Sequence, residues 1–259
     1  MVFQHLKELY AHRYLIWVLA WGDFKWRYKN SYLGYFWSLL EPLVMFIILY
    51  IVFSNLMKLQ VEYYQLFLFI GIMMWNYFSR ASSTALTALM FKNNLVQKIY
   101  FPRDIIVISA CITATLMSLF ESIVLIAFLL YFRIPISVSI MYLPLVLAFF
   151  FLLTLGVSLL LAGMNTLYHD IQYIWALVLQ AGFFITPIIY PLEIFSEQVQ
   201  NILGLNPLAQ IIIITRDCVL YGKGPSIARL GYTSIASIII LFLGYYIFMR
   251  LEPRFAEEM

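Results

Sequence analysis

Charged residues are scarce in this chain of 259 residues, because Lys, Arg, Asp and Glu together make up only 11% of it. A soluble globular chain carries about 25% of these residues, since water must solvate its surface. Cysteine is scarcer still, and the two present, Cys111 and Cys218, exclude a secreted disulfide scaffold. The net charge of only +3 does not indicate nucleic acid as a partner. These shortages exclude a soluble domain and a disordered protein.

Hydrophobic residues make up 64% of the chain, and aromatic residues alone make up 18%. A transmembrane helix needs about 20 mainly apolar residues, and six charge-poor stretches of about that length occur. The sequence therefore predicts an all-α membrane protein that forms a single transmembrane domain over residues 1–259. The predicted spans are Tyr35–Met57, Tyr64–Met90, Ile105–Phe132, Tyr142–Met164, Ile171–Tyr190 and Leu230–Met249.

Basic residues predict the orientation of these spans. The N-terminal segment holds five Lys and Arg residues before the first span, the 92–104 loop holds three and the C-terminal segment holds two. The two short loops on the opposite side hold only Lys58 and Arg133. Because basic loops stay on the cytoplasmic side, we expect an inner-membrane protein with both termini in the cytoplasm.

Two segments outside the spans have their own character. Residues 1–34 alternate apolar and basic positions at helical spacing, which predicts an amphipathic helix at the cytoplasmic face. Such a helix lies either in the lipid interface or on other protein. Residues 191–229 are apolar but interrupted by prolines, which predicts short re-entrant helices on the outer side, covered by protein. Residues 35–190 then form spans one to five, and residues 230–259 form span six and a cytoplasmic tail.

Motifs for catalysis are missing from the sequence. It contains no GxxxxGK[ST] loop for nucleotide phosphates, no HExxH and no CxxC. None of the three histidines is expected near Ser158, so no histidine could activate this serine as a nucleophile. Gly156 and Ser158 therefore indicate close helix packing rather than a serine protease. We therefore expect no catalytic residue, no metal site and no enzyme activity in this chain.

Three charges fall inside predicted spans, where charges are costly and often functional. Glu41 precedes Pro42 in span one, and has either a structural or a gating role. Arg80 in span two and Glu121 in span three could form an ion pair.

Aromatic residues run through spans one and five, beyond the belts expected at membrane interfaces. At helical spacing they serve either helix packing or the wall of a sugar channel, since aromatic faces stack on sugars.

Several segments together resemble one family. They are residues 25–37 (KWRYKNSYLGYFW) with 41–43 (EPL), 96–104 (VQKIYFPRD), 165–171 (NTLYHDI), 186–191 (TPIIYP) and 206–208 (NPL). In this order they resemble the permeases of polysaccharide-exporting ABC transporters of the type-2 export class. The likeness is greatest to O-antigen exporters, and teichoic-acid and capsule exporters look similar. Where such families commonly show Arg-Asp, this chain has His169-Asp170.

The resemblance implies a homodimer in the membrane that binds two separate ATP-binding cassette subunits. Those partners would bind ATP and Mg, so this chain would hold no cofactor. A lipid-diphosphate-linked glycan would pass outward between the two permeases. The implied ATPase coupling segment at 95–104 includes Lys98, Tyr100, Phe101, Pro102, Arg103 and Asp104.

Site residues follow from the resemblance and the sequence together. The candidates for stacking on the glycan in spans one and five are Tyr35, Trp37, Phe46, Tyr50, Trp175 and Phe183. Lys25, Arg27 and Lys29 are candidates for receiving the diphosphate, although their charge also suits ordinary cytoplasmic topology. The rival functions are a small-molecule or drug exporter of the same fold, and a lipid-modifying transferase that would lack its catalytic groups.

Overall fold

The structure is a computed structural model that describes residues 2–27, 29, 31–32, 34–56, 61–93 and 101–255, with the backbone alone at 2–6, 35, 55 and 56. Within these ranges the chain is helical and contains no strand, which confirms the predicted all-α class. The α-helices are α1 (Val2–Ala11), α2 (Arg13–Arg27), α3 (Trp37–Leu56), α4 (Tyr64–Phe91), α5 (Asp104–Tyr131), α6 (Leu143–Leu167), α7 (Ile171–Ile185), α8 (Glu197–Gly204), α9 (Pro207–Val219) and α10 (Ile227–Leu251). Short 3₁₀ turns lie at Gly34–Phe36, Val138–Tyr142, Leu192–Ile194 and Glu252–Arg254.

Among the described residues, length and apolarity support four to five membrane spans, so the six predicted spans are confirmed only in part. Four stretches are long and apolar enough, at Trp37–Ser54, Asp104–Tyr131, Val138–Leu167 and Ile227–Arg254. The pair α8–α9, bent by 102°, adds a fifth if it counts as one span. Helix α7 ends at Ile185, five residues before the predicted end at Tyr190, because Thr186 precedes Pro187 and adopts an extended backbone.

Helix α4 forms the centre of the bundle. It packs against α3, α5, α6, α7 and α9, and most of its residues from Tyr64 to Leu89 are buried. Aromatic rings fill the space around it: Tyr77 meets Phe150 edge-on at 4.8 Å between ring centroids, and Phe69 meets Phe128 at 5.4 Å. Because protein surrounds α4, it needs less apolar surface than a helix that faces lipid.

Helices α6 and α10 approach each other closely at two glycines. A Cβ on Gly156 would lie 2.6 Å from the Leu241 Cα, and a Cβ on Gly244 would overlap the Gly156 carbonyl oxygen. The nearby Ser158 is fully buried. The helix-packing role predicted for the Gly156–Ser158 stretch is therefore confirmed.

Helix α2 lies along α5 rather than standing alone. Phe24 is 1% exposed and stacks on Phe120, and the Thr113 hydroxyl donates to the Ala20 carbonyl at 3.1 Å. The opposite face remains open, with Tyr14 77% exposed and Trp26 78% exposed. The N-terminal helix thus packs on protein through one face and leaves an aromatic face uncovered.

The proline-rich segment forms two short helices, as predicted. Helix α9 is apolar and buried through Leu208, Ile211, Ile212 and Ile214, whereas α8 has no buried residue. The Asn206 side chain caps α9 by accepting a hydrogen bond from the Leu208 backbone NH at 3.0 Å.

Candidate functional site

A large cavity lies where α2, α3, α4 and α5 meet. It has a volume of about 730 Å³, and residues from all four helices line it, including Arg27, Trp37, Glu41, Val44, Arg80 and Met117. Its walls combine apolar side chains with two guanidinium groups and one carboxylate. Such a cavity suits a molecule that has both an apolar and a charged part.

A second cavity of about 410 Å³ adjoins the first along α4. Arg27, Arg80 and Met117 line both cavities. The second cavity is also lined by the hydroxyl groups of Ser83, Thr84 and Thr87 and by the ion pair of Lys92 with Asp23. The shared side chains make the two cavities one groove that runs between α2 and the bundle.

Arg80 and Glu121 form the ion pair that the sequence predicted. The Arg80 Nη2 donates to the Glu121 Oε1 at 2.7 Å, with 10% and 0% of the respective side chains exposed. In a low-dielectric interior either charge alone would be strongly destabilising. The pair is monodentate: the buried Arg80 Nη1 and Glu121 Oε2 have no hydrogen-bond partner among the described residues.

The basic residues predicted to meet a diphosphate lie at the end of α2 and just beyond it. Arg27 ends α2 and lines both cavities. Lys25 is exposed and its Nζ lies 5.5 Å above the Trp21 ring, and Lys29 is exposed just beyond the helix. Glu41 also lines the larger cavity. Of the three basic residues, only Arg27 lines the groove.

The aromatic residues predicted in α3 lie in different environments. Trp37 is 52% exposed and lines the larger cavity. Phe46 is only 7% exposed and packs against Tyr50, Phe69 and Phe128 within the chain. The half-buried Tyr50 hydroxyl accepts a hydrogen bond from the Gln65 amide at 2.8 Å. The Tyr35 side chain lies outside the described part of the chain.

The aromatic residues predicted in α7 pack on α4. The Trp175 indole NH donates to the Ser82 hydroxyl at 3.1 Å, and Phe183, 9% exposed, meets Trp75 edge-on. Trp175 also lines a small apolar cavity of about 220 Å³. Of the six stacking candidates, Trp37 alone lines the main groove among the described side chains, and a glycan-stacking role stays a prediction for all six.

The predicted coupling segment is described from Phe101 onward, whereas Lys98 and Tyr100 lie outside the described residues. Phe101 is 6% exposed and packs in the chain's own core with Phe248 and Phe255. The Arg103 guanidinium donates to the Glu252 carbonyl at 2.7 Å and lies over the Phe255 ring. These contacts tie the start of α5 to the end of α10.

Pro102 and Asp104 complete the described part of this segment. Asp104, 1% exposed, occupies the first turn of α5, where a carboxylate interacts favourably with the positive end of the helix dipole. Pro102 precedes the helix and is half-buried. A contact of this segment with an ATPase stays a prediction.

Arg216 is a buried cation that the sequence analysis did not single out as a site residue. It is 2% exposed, and its guanidinium donates to the carbonyls of Phe67, Pro187 and Ile188 at 3.0, 2.6 and 2.8 Å. It also lies 3.4 Å from the centroid of the Phe67 ring. The available signal was a single arginine within the aliphatic run of α9.

Comparison with known proteins gives a consistent result. The profile of the family described as "ABC-2 type transporter" matches residues 14–220. The "O-antigen export system permease protein RfbA" of Klebsiella pneumoniae is 31% identical over 247 residues, which cover 94% of each chain. The protein of the same name from Myxococcus xanthus is 26% identical over 98% of each chain. The "Polysialic acid transport protein KpsM" of Escherichia coli is 24% identical over 89% of this chain and 90% of its own.

Proposed function

Because this chain belongs to the ABC-2 type transporter family, we propose that it is the permease subunit that exports a lipid-linked polysaccharide of the O-antigen type across the cytoplasmic membrane. The observation that carries this proposal is the similarity, over 94% of both chains, to permeases named for O-antigen export. The chain also has the apolar helices that a multi-pass membrane protein requires.

The energy for export would come from a separate subunit. The sequence has no GxxxxGK[ST] loop that could bind nucleotide phosphates, so two ATP-binding cassette partners would bind ATP and Mg for a permease homodimer. Residues 95–104 would transmit their motion. The bond from Arg103 to the Glu252 carbonyl supports this idea, because a push on the segment would reach both α5 and α10.

Six spans with both termini in the cytoplasm would complete the proposed topology. Helix α4, with 28 residues, is about 42 Å long and could cross a bilayer. Helix α7 is shorter, with 15 residues, and would cross together with the residues that follow it. The basic residues in the N-terminal segment, the 92–104 loop and the C-terminal segment support this orientation.

The polysaccharide lipid would meet the permease at the groove between α2 and the bundle. Lys25, Arg27 and Lys29 would receive its diphosphate, and Trp37 would contact its sugar or lipid part. Glu41, which lines the same cavity, would act in gating. The apolar outer faces of α3 and α7, which include Ile48 and Leu177, would border the channel between the two permeases.

Capsule and teichoic-acid export are the nearest alternatives. A relative named for polysialic acid transport is 24% identical to this chain, so a capsular polysaccharide is a specific second candidate. A small-molecule exporter of the same fold would not need a groove that combines cations with aromatic side chains.

Co-purification tests the proposal directly. The chain is purified in lipid nanodiscs with the ATPase encoded beside it, and the bound lipid is identified by mass spectrometry. We expect a lipid-diphosphate glycan that stimulates ATP hydrolysis. Stimulation by small apolar compounds, and by no lipid-linked glycan, would instead identify a drug exporter.

A further inference from the structure

Arg80, whose side chain is only 10% exposed, lines both cavities of the groove described above. Lys92, which lines the second cavity, follows the last residue of α4. Twelve residues of α-helix separate Lys92 from Arg80, a distance of about 18 Å along the axis. The groove thus leads from the end of α4 well into the bundle.

One face of α4 lines this path with polar groups. Arg80, Ser83, Thr84 and Thr87 all line the second cavity, and their spacing of three, four and seven residues places them on one side of the helix. Apolar side chains such as Met117 and Val44 form the facing walls. A ligand that fits both kinds of wall has an anionic end and an apolar chain.

The ion pair of Arg80 leaves part of its binding capacity unused. A guanidinium offers parallel donors that match two oxygens of a phosphate or carboxylate. Here one donor group contacts Glu121, while the buried Nη1 has no partner among the described residues. The same holds for the second oxygen of Glu121. A purely structural pair would satisfy more of these atoms by closing as a two-bond fork.

We propose that Arg80 is the inner anchor of an anion-binding groove that takes the phosphate-bearing end of an amphipathic substrate, and that Glu121 holds the Arg80 guanidinium until this anion binds. Arg27, which lines both cavities, is the outer cation of the same groove. The inference rests on the proposed function, and it adds a contact inside the bundle to the basic residues at its edge. An arriving phosphate competes with the Glu121 carboxylate for the same donors.

The test uses the full-length chain in lipid nanodiscs without the ATPase, whose nucleotide site would itself bind phosphates. The probes are farnesyl diphosphate, farnesol and inorganic pyrophosphate, with binding measured by scintillation proximity. The variants are Glu121→Gln, the double variant Arg80→Gln/Glu121→Gln and the control Arg229→Gln. The double variant leaves no unpaired charge, and Arg229 is a half-exposed cation on α10 outside the groove. Thermal unfolding confirms that each variant is folded.

Opposite effects of the two groove variants are the expected result. The double variant should bind farnesyl diphosphate about 10 to 100 times more weakly, the loss of one charge-assisted hydrogen-bonded contact. Glu121→Gln should bind it as well as the unaltered chain or more tightly, because the competitor of the anion is gone. Farnesol binding and the Arg229→Gln control should be unchanged.

Three outcomes would overturn the proposal. The first is a folded double variant that binds farnesyl diphosphate within twofold of the unaltered chain, which would make the pair structural. The second is an equal loss of farnesol binding. The third is pyrophosphate bound as tightly as farnesyl diphosphate, which would make free phosphate the ligand. The proposed function is tested separately, by measuring the surface polysaccharide of cells that carry the unaltered chain. Either idea can therefore fail alone.

Discussion

Replacing Arg216 should destabilise the part of the bundle around α9 more than replacing any exposed cation. This side chain joins three parts of the chain, since it donates to carbonyls of α4 and of the extended turn after α7 while it belongs to α9. The carbonyl partners cannot be removed by mutation. An Arg216→Met substitution, which keeps most of the length of the side chain, leaves all three oxygens without this donor.

The magnitude follows from the number of stranded oxygens. A buried acceptor that loses its hydrogen bond costs about 1–3 kcal/mol, and three are affected. Burying methionine instead of a desolvated cation offsets part of this loss. We expect a net destabilisation of about 3–5 kcal/mol, which would lower the unfolding midpoint by roughly 10 °C. The destabilisation by Arg216→Lys should be smaller than that by Arg216→Met but still measurable, because one ammonium group cannot reach all three oxygens with the same geometry.

Thermal unfolding in detergent, followed by circular dichroism, measures this difference. Arg229→Ala is the matched control, because Arg229 is 52% exposed in its side chain and pairs with Asp217 at 3.4 Å. An exposed pair of this kind contributes about 0–1 kcal/mol. If Arg216→Met unfolds at the same temperature as Arg229→Ala, the three hydrogen bonds do not stabilise α9 against its neighbours and the reasoning is wrong.

Two further substitutions test the helix contacts. Gly244→Ala should destabilise the fold by at least about 1–3 kcal/mol through overpacking, because the new Cβ would overlap the Gly156 carbonyl. Gly231→Ala on the same helix is the control, since its Cβ would meet nothing within 4 Å and should be stabilising. Equal unfolding midpoints of the two variants would refute the close contact. Phe24→Ala should lower the free energy of unfolding by about 3–5 kcal/mol and expose α2 to limited proteolysis. Trp17→Ala is the control, because it changes a half-exposed position and should leave α2 protected. Equal cleavage of both variants would show that Phe24 does not hold α2 in place.

The sequence could predict most helices because apolar runs end at residues that interrupt helices. The predicted span Ile105–Phe132 corresponds to α5 at Asp104–Tyr131, and the predicted span from Leu230 to Met249 lies within α10. The prediction for α7 extended too far because it relied on apolarity. The apolar residues Ile188 and Ile189 continue the run, but Pro187 had already marked the end of the helix.

The site was predictable only where the partners are side chains. Arg80 and Glu121 could be paired from the sequence, since neither charge is stable alone in the membrane. The partners of Arg216 are backbone carbonyls, and no residue pattern identifies them. The sequence could not distinguish an aromatic residue that packs inside the chain from one that lines a cavity. Phe46, in a ring cluster, and Trp37, at a cavity, occur in the same helix.

The hydropathy of α4 and its role in the groove have one physical cause. Lipid-facing helices must be apolar around most of their circumference, but α4 is surrounded by other helices. Its second half can therefore carry Arg80, Ser83, Thr84 and Thr87 on the face that lines the groove. These polar residues lower the apolarity of α4, which is not among the helices apolar enough to count as a span although its 28 residues are long enough. Of the five described helices with at least 20 residues, the least apolar is thus the one that supplies the polar wall.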